Sequence, residues 1–344
     1  MRQRLREFNF LVVGGGPAAS VCAITLAKAG AHVCQLHRDD SRKRDVELIS
    51  GRARRALSEV VPGHLVYGIS DMEITETISL WGDDSPQIWN AMQNPYGPGI
   101  AVVRSTFDAA LRSAAATAGV WLLGGHHVQH VERTMHGWRL HAKVGDGHTE
   151  LCAEKLVLAT GRDARDLLGR EPRRIDNRLV YTSTMVPAAG SPRHAFFLEL
   201  TEHGWWYALP HPSGDSFLGY CSERRQAVRR GPPVHAIFMN AIERASLIRG
   251  LVRPNGSPPV VQGRRAGMQR FDHACGEGWI AVGDAAFAPD PLSGLGCEFA
   301  IASSLQAARV LLRSASLVAM AEYEQRVREF SELHRLQGAK YYAE

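Results

Sequence analysis

A glycine-rich turn near the start of the chain constrains the fold more than any other feature. It consists of Gly14, Gly15, Gly16, Pro17, Ala18 and Ala19. The apolar run before it, 8–13, predicts a buried strand, and the small residues over 17–29 predict a helix that ends at Gly30. A second strand is predicted over 31–36. Such a strand-turn-helix unit receives the pyrophosphate of a dinucleotide at the helix N-terminus, so we expect an α/β fold.

A second segment, near the other end of the chain, complements this turn. It contains Gly283, Asp284, Pro291, Gly294, Leu295 and Gly296. Asp284 follows a strand predicted over 279–282, so its carboxylate can accept hydrogen bonds from sugar hydroxyls of an extended ligand. Backbone N–H groups over 293–296 open a helix and can stabilise negative charge. A dinucleotide held from both ends of a chain is typical of FAD. The alternatives are a plain strand-to-helix turn at 14–19 and an ordinary helix N-cap at Asp284.

The end of the second strand departs from the usual dinucleotide pattern. An acidic residue about 20 positions after the glycines normally holds the adenosine ribose. Here His37 takes that place and is followed by Arg38, Asp39 and Asp40. We expect His37 or Arg38 to reach the ribose or the adenine, or Asp39 to substitute after a small change of register. The alternative is a solvated strand end.

Composition excludes several classes of protein. The 344 residues are 45% hydrophobic, which allows a large core in one domain or two joined ones. The net charge of +5 suits an anionic cofactor or an acidic partner and is too diffuse to indicate nucleic acid binding. The six cysteines form no CxxC pair, so neither a disulfide framework nor a metal site is expected, and a reducing cytoplasm fits. Apolar runs fall short of the ~20 residues that a membrane span needs.

Five segments together carry a family resemblance. They are VVGGGPAAS at 12–20, VRSTFDAAL at 103–111, LVLATGR at 156–162, GWWYALP at 204–210 and GWIAVGDAAFAPDPLSGLG at 278–296. In this order they resemble FAD-dependent monooxygenases of the p-hydroxybenzoate hydroxylase fold. The likeness is strongest to the branch that contains tryptophan halogenases and the flavoproteins that mature tryptophylquinone cofactors.

The resemblance implies a fold and a set of roles. It implies a Rossmann-like FAD-binding domain of the GR2 type, with an inserted antiparallel-sheet substrate domain. The FAD-binding domain is expected over 1–72, 96–175 and 262–344, and the substrate domain over 73–95 and 176–261. The turn at 14–19 would face the pyrophosphate, with Gly14 and Gly16 nearest. Arg104 would contact the phosphates, Gly161 would lie near the adenine half, Asp284 would bind ribityl hydroxyls, and 291–296 would line the isoalloxazine ring.

The tryptophan-rich motif and the lysine content distinguish between related activities. Trp205, Trp206 and Tyr207 resemble the motif that lines the wall between flavin and substrate, although aromatic residues on a sheet often only pack. The halogenases of this branch rely on a lysine in the early cofactor region. Lys43 is the only lysine between Lys28 and Lys143, and it lies in a charge cluster. The sequence therefore favours oxygen insertion over halogenation.

Two titratable residues are candidates for a catalytic role. Glu47 could reach the flavin edge or the substrate; the alternative is a surface carboxylate. His211 follows the aromatic motif and could deprotonate an indole or phenol, because its ordinary pKa lies near neutrality; the alternative is a core or rim histidine. The basic residues over 38–55 predict a solvated face, or a face that docks an acidic carrier or protein substrate.

The resemblance predicts a monooxygenase in which reduced FAD and O2 form a C4a-hydroperoxide that hydroxylates an electron-rich aromatic ring, such as an indole. A chain this short for the fold suits a bulky substrate, so the ring is expected on a small molecule, a peptide, a protein or a carrier. The sequence shows no second dinucleotide motif, so electrons are expected from transiently bound NAD(P)H or from a partner flavin reductase. A halogenase, an isoprenoid reductase and a non-catalytic flavin-binding assembly factor remain as alternatives.

Overall fold

The computed structural model describes residues 7–38, 45–63, 65, 72–82, 84–162, 166–223, 233–253, 258–313 and 316–342. The predictions that involve Asp39, Asp40 and Lys43 lie outside these residues. Within these ranges, none of the helices combines the length and the apolar character needed to cross a membrane.

Strands and helices occupy these ranges as follows. In chain order the strands are β1 (Glu7–Val13), β2 (Val33–Leu36), β3 (Val46–Ile49), β4 (Glu73–Ile74), β5 (Glu76–Leu80), β6 (Gln87–Asn90), β7 (Gly99–Val103), β8 (Trp121–Leu123), β9 (His127–Thr134), β10 (Gly137–Val144), β11 (Gly147–Leu158), β12 (Pro172–Arg174), β13 (Arg178–Pro187), β14 (Ala195–Thr201), β15 (Gly204–Pro210), β16 (Ser216–Glu223), β17 (Val252–Arg253), β18 (Gln262–Arg265), β19 (Gln269–Phe271), β20 (Cys275–Gly276), β21 (Trp279–Ala281) and β22 (Phe287–Ala288). The helices are α1 (Pro17–Lys28), α2 (Gly51–Ser58), α3 (Arg104–Thr117), α4 (Val234–Ile242), α5 (Leu247–Gly250), α6 (Gly296–Leu312) and α7 (Leu317–Tyr341).

The first large sheet carries the predicted βαβ unit. Its strand order is β20-β21-β11-β1-β2-β8, and the β9–β10 hairpin extends from β11. The central strands β21, β11, β1, β2 and β8 run parallel, and β1 is almost wholly buried, as expected where helices cover both faces of a sheet. Helix α1 packs against both α3 and α6. Its small residues, among them Ala19 and Ala23, are fully buried and allow this close packing.

The second large sheet forms the predicted inserted layer. Its order is β17-β13-β16-β15-β14-β5-β6, and β18 pairs with β13. Neighbours are antiparallel except β14 and β5, which run parallel. Because β18 spans Gln262–Arg265 and belongs to this sheet, the predicted domain boundary at residue 262 is wrong by the length of one strand.

Helices α4 and α5 cover one face of the second sheet. The apolar segment 233–251 predicts one helix, but the structure divides it after Ile242. The reason is Glu199 of β14, which is 2% exposed. Its carboxylate accepts hydrogen bonds from the backbone N–H groups of Ser246 (2.6 Å) and Ile248 (2.8 Å). The start of α5 thus supplies the donors that this buried carboxylate needs, and the chain bends there.

Candidate functional site

The turn at 14–19 has the geometry that dinucleotide binding requires. Gly14 has a φ of +149°, and a β-carbon there would lie 2.1 Å from the carbonyl oxygen of Ala159 at the end of β11. Gly16 is the N-cap of α1 and makes no side-chain capping bond. The nearest atom to a β-carbon at Gly16 would be Nη2 of Arg104, at 3.8 Å. The first turn of α1 therefore has no side-chain cap on its backbone N–H groups, which is the arrangement that an anion site uses.

Two polar side chains that sequence reasoning missed support this turn. The buried Gln35 side chain donates from Nε2 to the carbonyl oxygen of Gly14 (3.0 Å) and to the hydroxyl of Ser20 (3.2 Å). Arg112 of α3 donates to the carbonyl oxygen of Gly15 (2.8 Å). Gln35 could have been selected from the sequence, because it is an amide inside the otherwise apolar strand β2. Arg112 could not, because its partner lies on another element.

The two glycine segments meet in the structure, as predicted. Ser304 of α6 donates its hydroxyl to the carbonyl oxygen of Ala18 (2.8 Å), and the N–H of Gly283 donates to the hydroxyl of Ser303 (3.0 Å). A β-carbon at Gly283 would lie only 2.9 Å from the β-carbon of Ala18. Two parts of the chain that are remote in sequence thus form one surface.

Asp284 lies on this surface and is partly exposed. The N-cap of its short 3-10 turn, Gly283–Ala285, is Val282, so the alternative in which Asp284 is a plain N-cap is wrong. Nε of Arg162 lies 3.4 Å from the Asp284 carboxylate, and Nη2 of Arg162 donates to the carbonyl oxygen of Pro289 (3.1 Å). The sequence predicted a role for the neighbouring Gly161 and not for Arg162. Gly161 has a φ of +78° and open space where a β-carbon would lie.

The loop that leads into α6 is built around Asp290. Its carboxylate accepts from the N–H of Leu292 (2.9 Å) and caps the 3-10 turn Pro291–Ser293. Gly294 then adopts a φ of +62°, and Leu295 is the N-cap of α6 without a side-chain capping bond. β-carbons at Gly294 and Gly296 would meet no atom within 4 Å. The loop thus exposes backbone beside a helix N-terminus, which is the surface predicted to line the flavin ring.

The residues at the end of β2 lie beside the same turn. A β-carbon at Gly15 would lie 2.7 Å from the β-carbon of His37. His37 is half-buried, and its ring Nδ1 lies 3.0 Å from the carbonyl oxygen of Arg38. Arg38 is exposed. The role of either residue in holding ribose or adenine stays a prediction.

Arg104 and Glu47 belong to one buried ionic cluster. Arg104 is 8% exposed; its Nη2 lies 3.1 Å from Asp108 and its Nη1 contacts the Glu47 carboxylate. The thiol of Cys297, in the first turn of α6, lies 3.0 Å from Glu47 Oε1. Burial, and then the adjacent Glu47, raise the pKa of Cys297 well above its usual range, so the thiol is neutral and donates to the carboxylate. Glu47 is therefore an ion-paired, partly exposed carboxylate, and its catalytic role stays a prediction.

The aromatic motif on β15 is divided between the two faces of its sheet, because side chains alternate along a strand. Trp206 is fully buried beneath α4, with ring centroids 4.9 Å from Phe238 and 4.8 Å from Tyr220. The prediction that Trp206 lines the substrate wall is therefore wrong, and its packing alternative holds. Trp205 and Tyr207 lie on the opposite face, 5.8 Å apart.

Trp81, which sequence reasoning did not select, extends this second face. Its ring centroid lies 6.4 Å from that of Trp205, and both tryptophans pack in one cluster with Leu292 of the loop before α6. Topology joins them, because β14 lies between β5 and β15. The wall between the loop and the second sheet is thus formed by residues from three separate segments.

His211 lies in the turn between β15 and β16. Its Nδ1 is 2.7 Å from the hydroxyl oxygen of Ser213, and its carbonyl oxygen accepts from Arg193 (2.7 Å). The turn is about 13 Å along the strand from Tyr207. A role for His211 as a base stays a prediction.

Comparison with known proteins gives a consistent result. No protein-family model matches the chain. It is 26% identical over 352 residues to LodB of Marinomonas mediterranea, named as an FAD-dependent oxidoreductase; the match covers 96% of this chain and 91% of that protein. It is similar in structure to the peptidyl tryptophan dihydroxylase QhpG, with a TM-score of 0.79 at 24% identity, over 98% of this chain and 75% of the other. The myxobacterial chondrochloren halogenase CndH gives a TM-score of 0.84 at 20% identity, over 97% and 82%.

These similarities and the site geometry define the class of protein. The chain has the fold of FAD-dependent monooxygenases and halogenases, and the predicted fold class, a Rossmann-like α/β domain with an inserted sheet, is confirmed. Its relative LodB, matched over 96% of this chain, is named as an FAD-dependent oxidoreductase.

Proposed function

We propose that the chain is an FAD-dependent monooxygenase that hydroxylates an electron-rich aromatic ring, most specifically an indole carried on a peptide or protein. The meeting of the turn at 14–19 with the Asp284 segment carries the first part of this proposal. The second part is supported by the likeness to a peptidyl tryptophan dihydroxylase and by the aromatic wall on the second sheet.

The residues present fit FAD. The uncapped N-terminus of α1 behind Gly16 would hold the pyrophosphate, Asp284 would accept hydrogen bonds from sugar or ribityl hydroxyls, and the loop 291–296 would border the ring. Open space at Gly294 and Gly296 leaves room for such a ligand. When bound, FAD supplies the redox chemistry that activates O2 for transfer of one oxygen atom.

On the aromatic wall, Trp81 and Trp205 form an apolar cluster with Leu292 of the loop. The Tyr207 ring lies across β16 at Gly219, where a β-carbon would be 2.1 Å from the ring. Burial, together with the nearby Asp45 carboxylate, raises the pKa of Tyr207 above its usual range, so its hydroxyl stays neutral and can orient a substrate without taking its proton.

One donor on this wall suits a substrate that carries peptide groups. The indole N–H of Trp81 is buried and finds no acceptor among the described residues. A buried donor without a partner is costly, and a carbonyl oxygen of a bound polypeptide would satisfy it. We propose that electrons come from NAD(P)H or from a partner flavin reductase.

The experiment supplies the purified protein with FAD, a flavin reductase, NADH and O2, together with a tryptophan-containing polypeptide or free indole. A mass gain of whole oxygen atoms that requires both O2 and FAD is the expected result. The W89F variant, which alters an exposed tryptophan at the outer edge of the same sheet, serves as a control and should form the same product as the wild-type protein. A halide-dependent product, product formation without O2, or bound FAD with no product under any condition would each contradict the proposal.

A further inference from the structure

Tyr342, directly after α7, lies between the cofactor loop and the second sheet. Its hydroxyl oxygen accepts a hydrogen bond from the indole Nε1 of Trp205 (3.2 Å) and donates one to Oδ1 of Asp290 (2.9 Å). A single hydroxyl therefore connects a residue of the aromatic wall with the residue that begins the cofactor loop.

Asp290 holds the loop through several contacts. It is 3% exposed, and its Oδ1 also accepts from the N–H of Leu292 (2.9 Å). Its Oδ2 pairs with Nη1 of Arg178 (2.9 Å), and its carbonyl oxygen accepts from the hydroxyl of Ser293 (2.7 Å). Of these contacts, the one from Tyr342 connects the loop with Trp205 of the aromatic wall.

The ring of Tyr342 is held independently of its hydroxyl. The Arg178 guanidinium stacks on the ring, with Cζ 3.6 Å from the centroid, and it also pairs with Asp176 at 2.8 Å. A phenylalanine at position 342 would keep this stacking and lose only the two hydrogen bonds. The hydroxyl can therefore be tested without removing the packing.

We infer that Tyr342 is a positioning residue for the cofactor site: its hydroxyl fixes the loop 290–296 against Trp205 and so sets the gap between the flavin-facing loop and the aromatic wall. Neighbouring contacts agree with this role, because Trp205, Leu292 and Tyr342 share one hydrophobic cluster. The inference rests on the proposed FAD site.

The test compares Y342F with the wild-type protein and with Y181F, which removes a hydroxyl on the helix-covered face of the same sheet. We expect Y342F to bind FAD about tenfold more weakly in a fluorescence titration, since a hydrogen bond to a charged loop residue is lost. The visible absorption band of the bound flavin should shift in Y342F. Y181F should bind FAD within about twofold of the wild-type protein.

A double variant tests whether the two hydrogen bonds act as one unit. W205F removes the indole donor, and W205F/Y342F should bind FAD no more weakly than Y342F alone. Should Y342F fail to fold, W205F alone tests the same hydroxyl by removing its indole donor, and it should weaken FAD binding in the same direction.

Two outcomes overturn the inference, and they are distinguishable. Wild-type uptake of FAD with an unchanged dissociation constant and absorption spectrum in Y342F contradicts the positioning role alone, even if the apoprotein of the variant unfolds at a lower temperature. Failure of the wild-type protein to take up FAD contradicts the proposed function and this inference together.

Discussion

The cofactor surface consists mainly of backbone groups, whereas the aromatic wall consists of large side chains. Around the turn at 14–19 the important groups are backbone N–H donors, and the residues are glycines and alanines that let segments approach closely. On the second sheet the important groups are large side chains, and their value depends on which face they occupy. A surface made of backbone groups can thus be predicted from a short local motif. A surface made of side chains depends on the strand order and on which elements cover each face of the sheet.

The largest expected effect tests the face assignment on β15. W206A removes a fully buried indole and should lower the free energy of unfolding by about 3–5 kcal/mol. W89A, at an exposed position on the edge strand β6, should change it by about 0.5 kcal/mol or less. Chemical denaturation of both variants measures the difference. Equal effects at the two positions would contradict the assignment of Trp206 to the core.

The next effect tests the backbone surface. G14A places a β-carbon against Ala159 in a disfavoured conformation and should cost about 3 kcal/mol, with loss of FAD binding. G30A is the control, because Gly30 also has a positive φ, +88°, but has open space around it. Its expected cost is about 1–2 kcal/mol. If G14A bound FAD as the wild-type protein does, the close approach at Gly14 would not matter for the ligand.

A smaller effect tests Asp284. D284A should leave the fold intact and weaken FAD binding by about 10- to 100-fold, as expected when hydrogen bonds to a carboxylate are lost. D272A, at an exposed aspartate close in sequence, is the matched control. Isothermal titration with FAD measures both. An unchanged affinity in D284A would remove this residue from the cofactor surface.

The smallest effect is a pH dependence from His334 of α7. Burial, opposed by the Phe330 carbonyl and by Asp290, lowers the pKa of His334 below its ordinary value of 6.5. Between that value and the lower folded one, the unfolded chain binds a proton that the folded protein does not. The free energy of unfolding should therefore fall as the pH drops below about 6.5, with a slope of at most about 1.4 kcal/mol per pH unit.

The H334Q variant checks this prediction. It should show a flatter stability profile between pH 7 and pH 5.5 than the wild-type protein, because the buried imidazole is gone. Replacement of the exposed His127 by Gln controls for the general loss of one imidazole. A wild-type slope that persists unchanged in H334Q would assign the pH dependence to other groups.

Local motifs predicted the parts of the site that need particular backbone. Gly14 and Gly283 were found because only glycine tolerates their contacts and conformations, and this requirement is visible in a short stretch of sequence. The division of the motif at Trp205 and Trp206 was not predicted. Alternation along β15 was clear, but only the position of α4 decides which face is core.

The sequence by itself determined the α/β class, the turn of the βαβ unit and the pairing of two remote glycine segments. Each of these depends on backbone conformation and on the spacing of apolar residues along the chain. Tertiary structure alone decided the links of Arg104 to Glu47, of Arg162 to Asp284, and of Tyr342 to Asp290 and Trp205. Most of these contacts join residues far apart in the chain. Their energies depend on burial and direction, which exist only once the sheets and helices have packed.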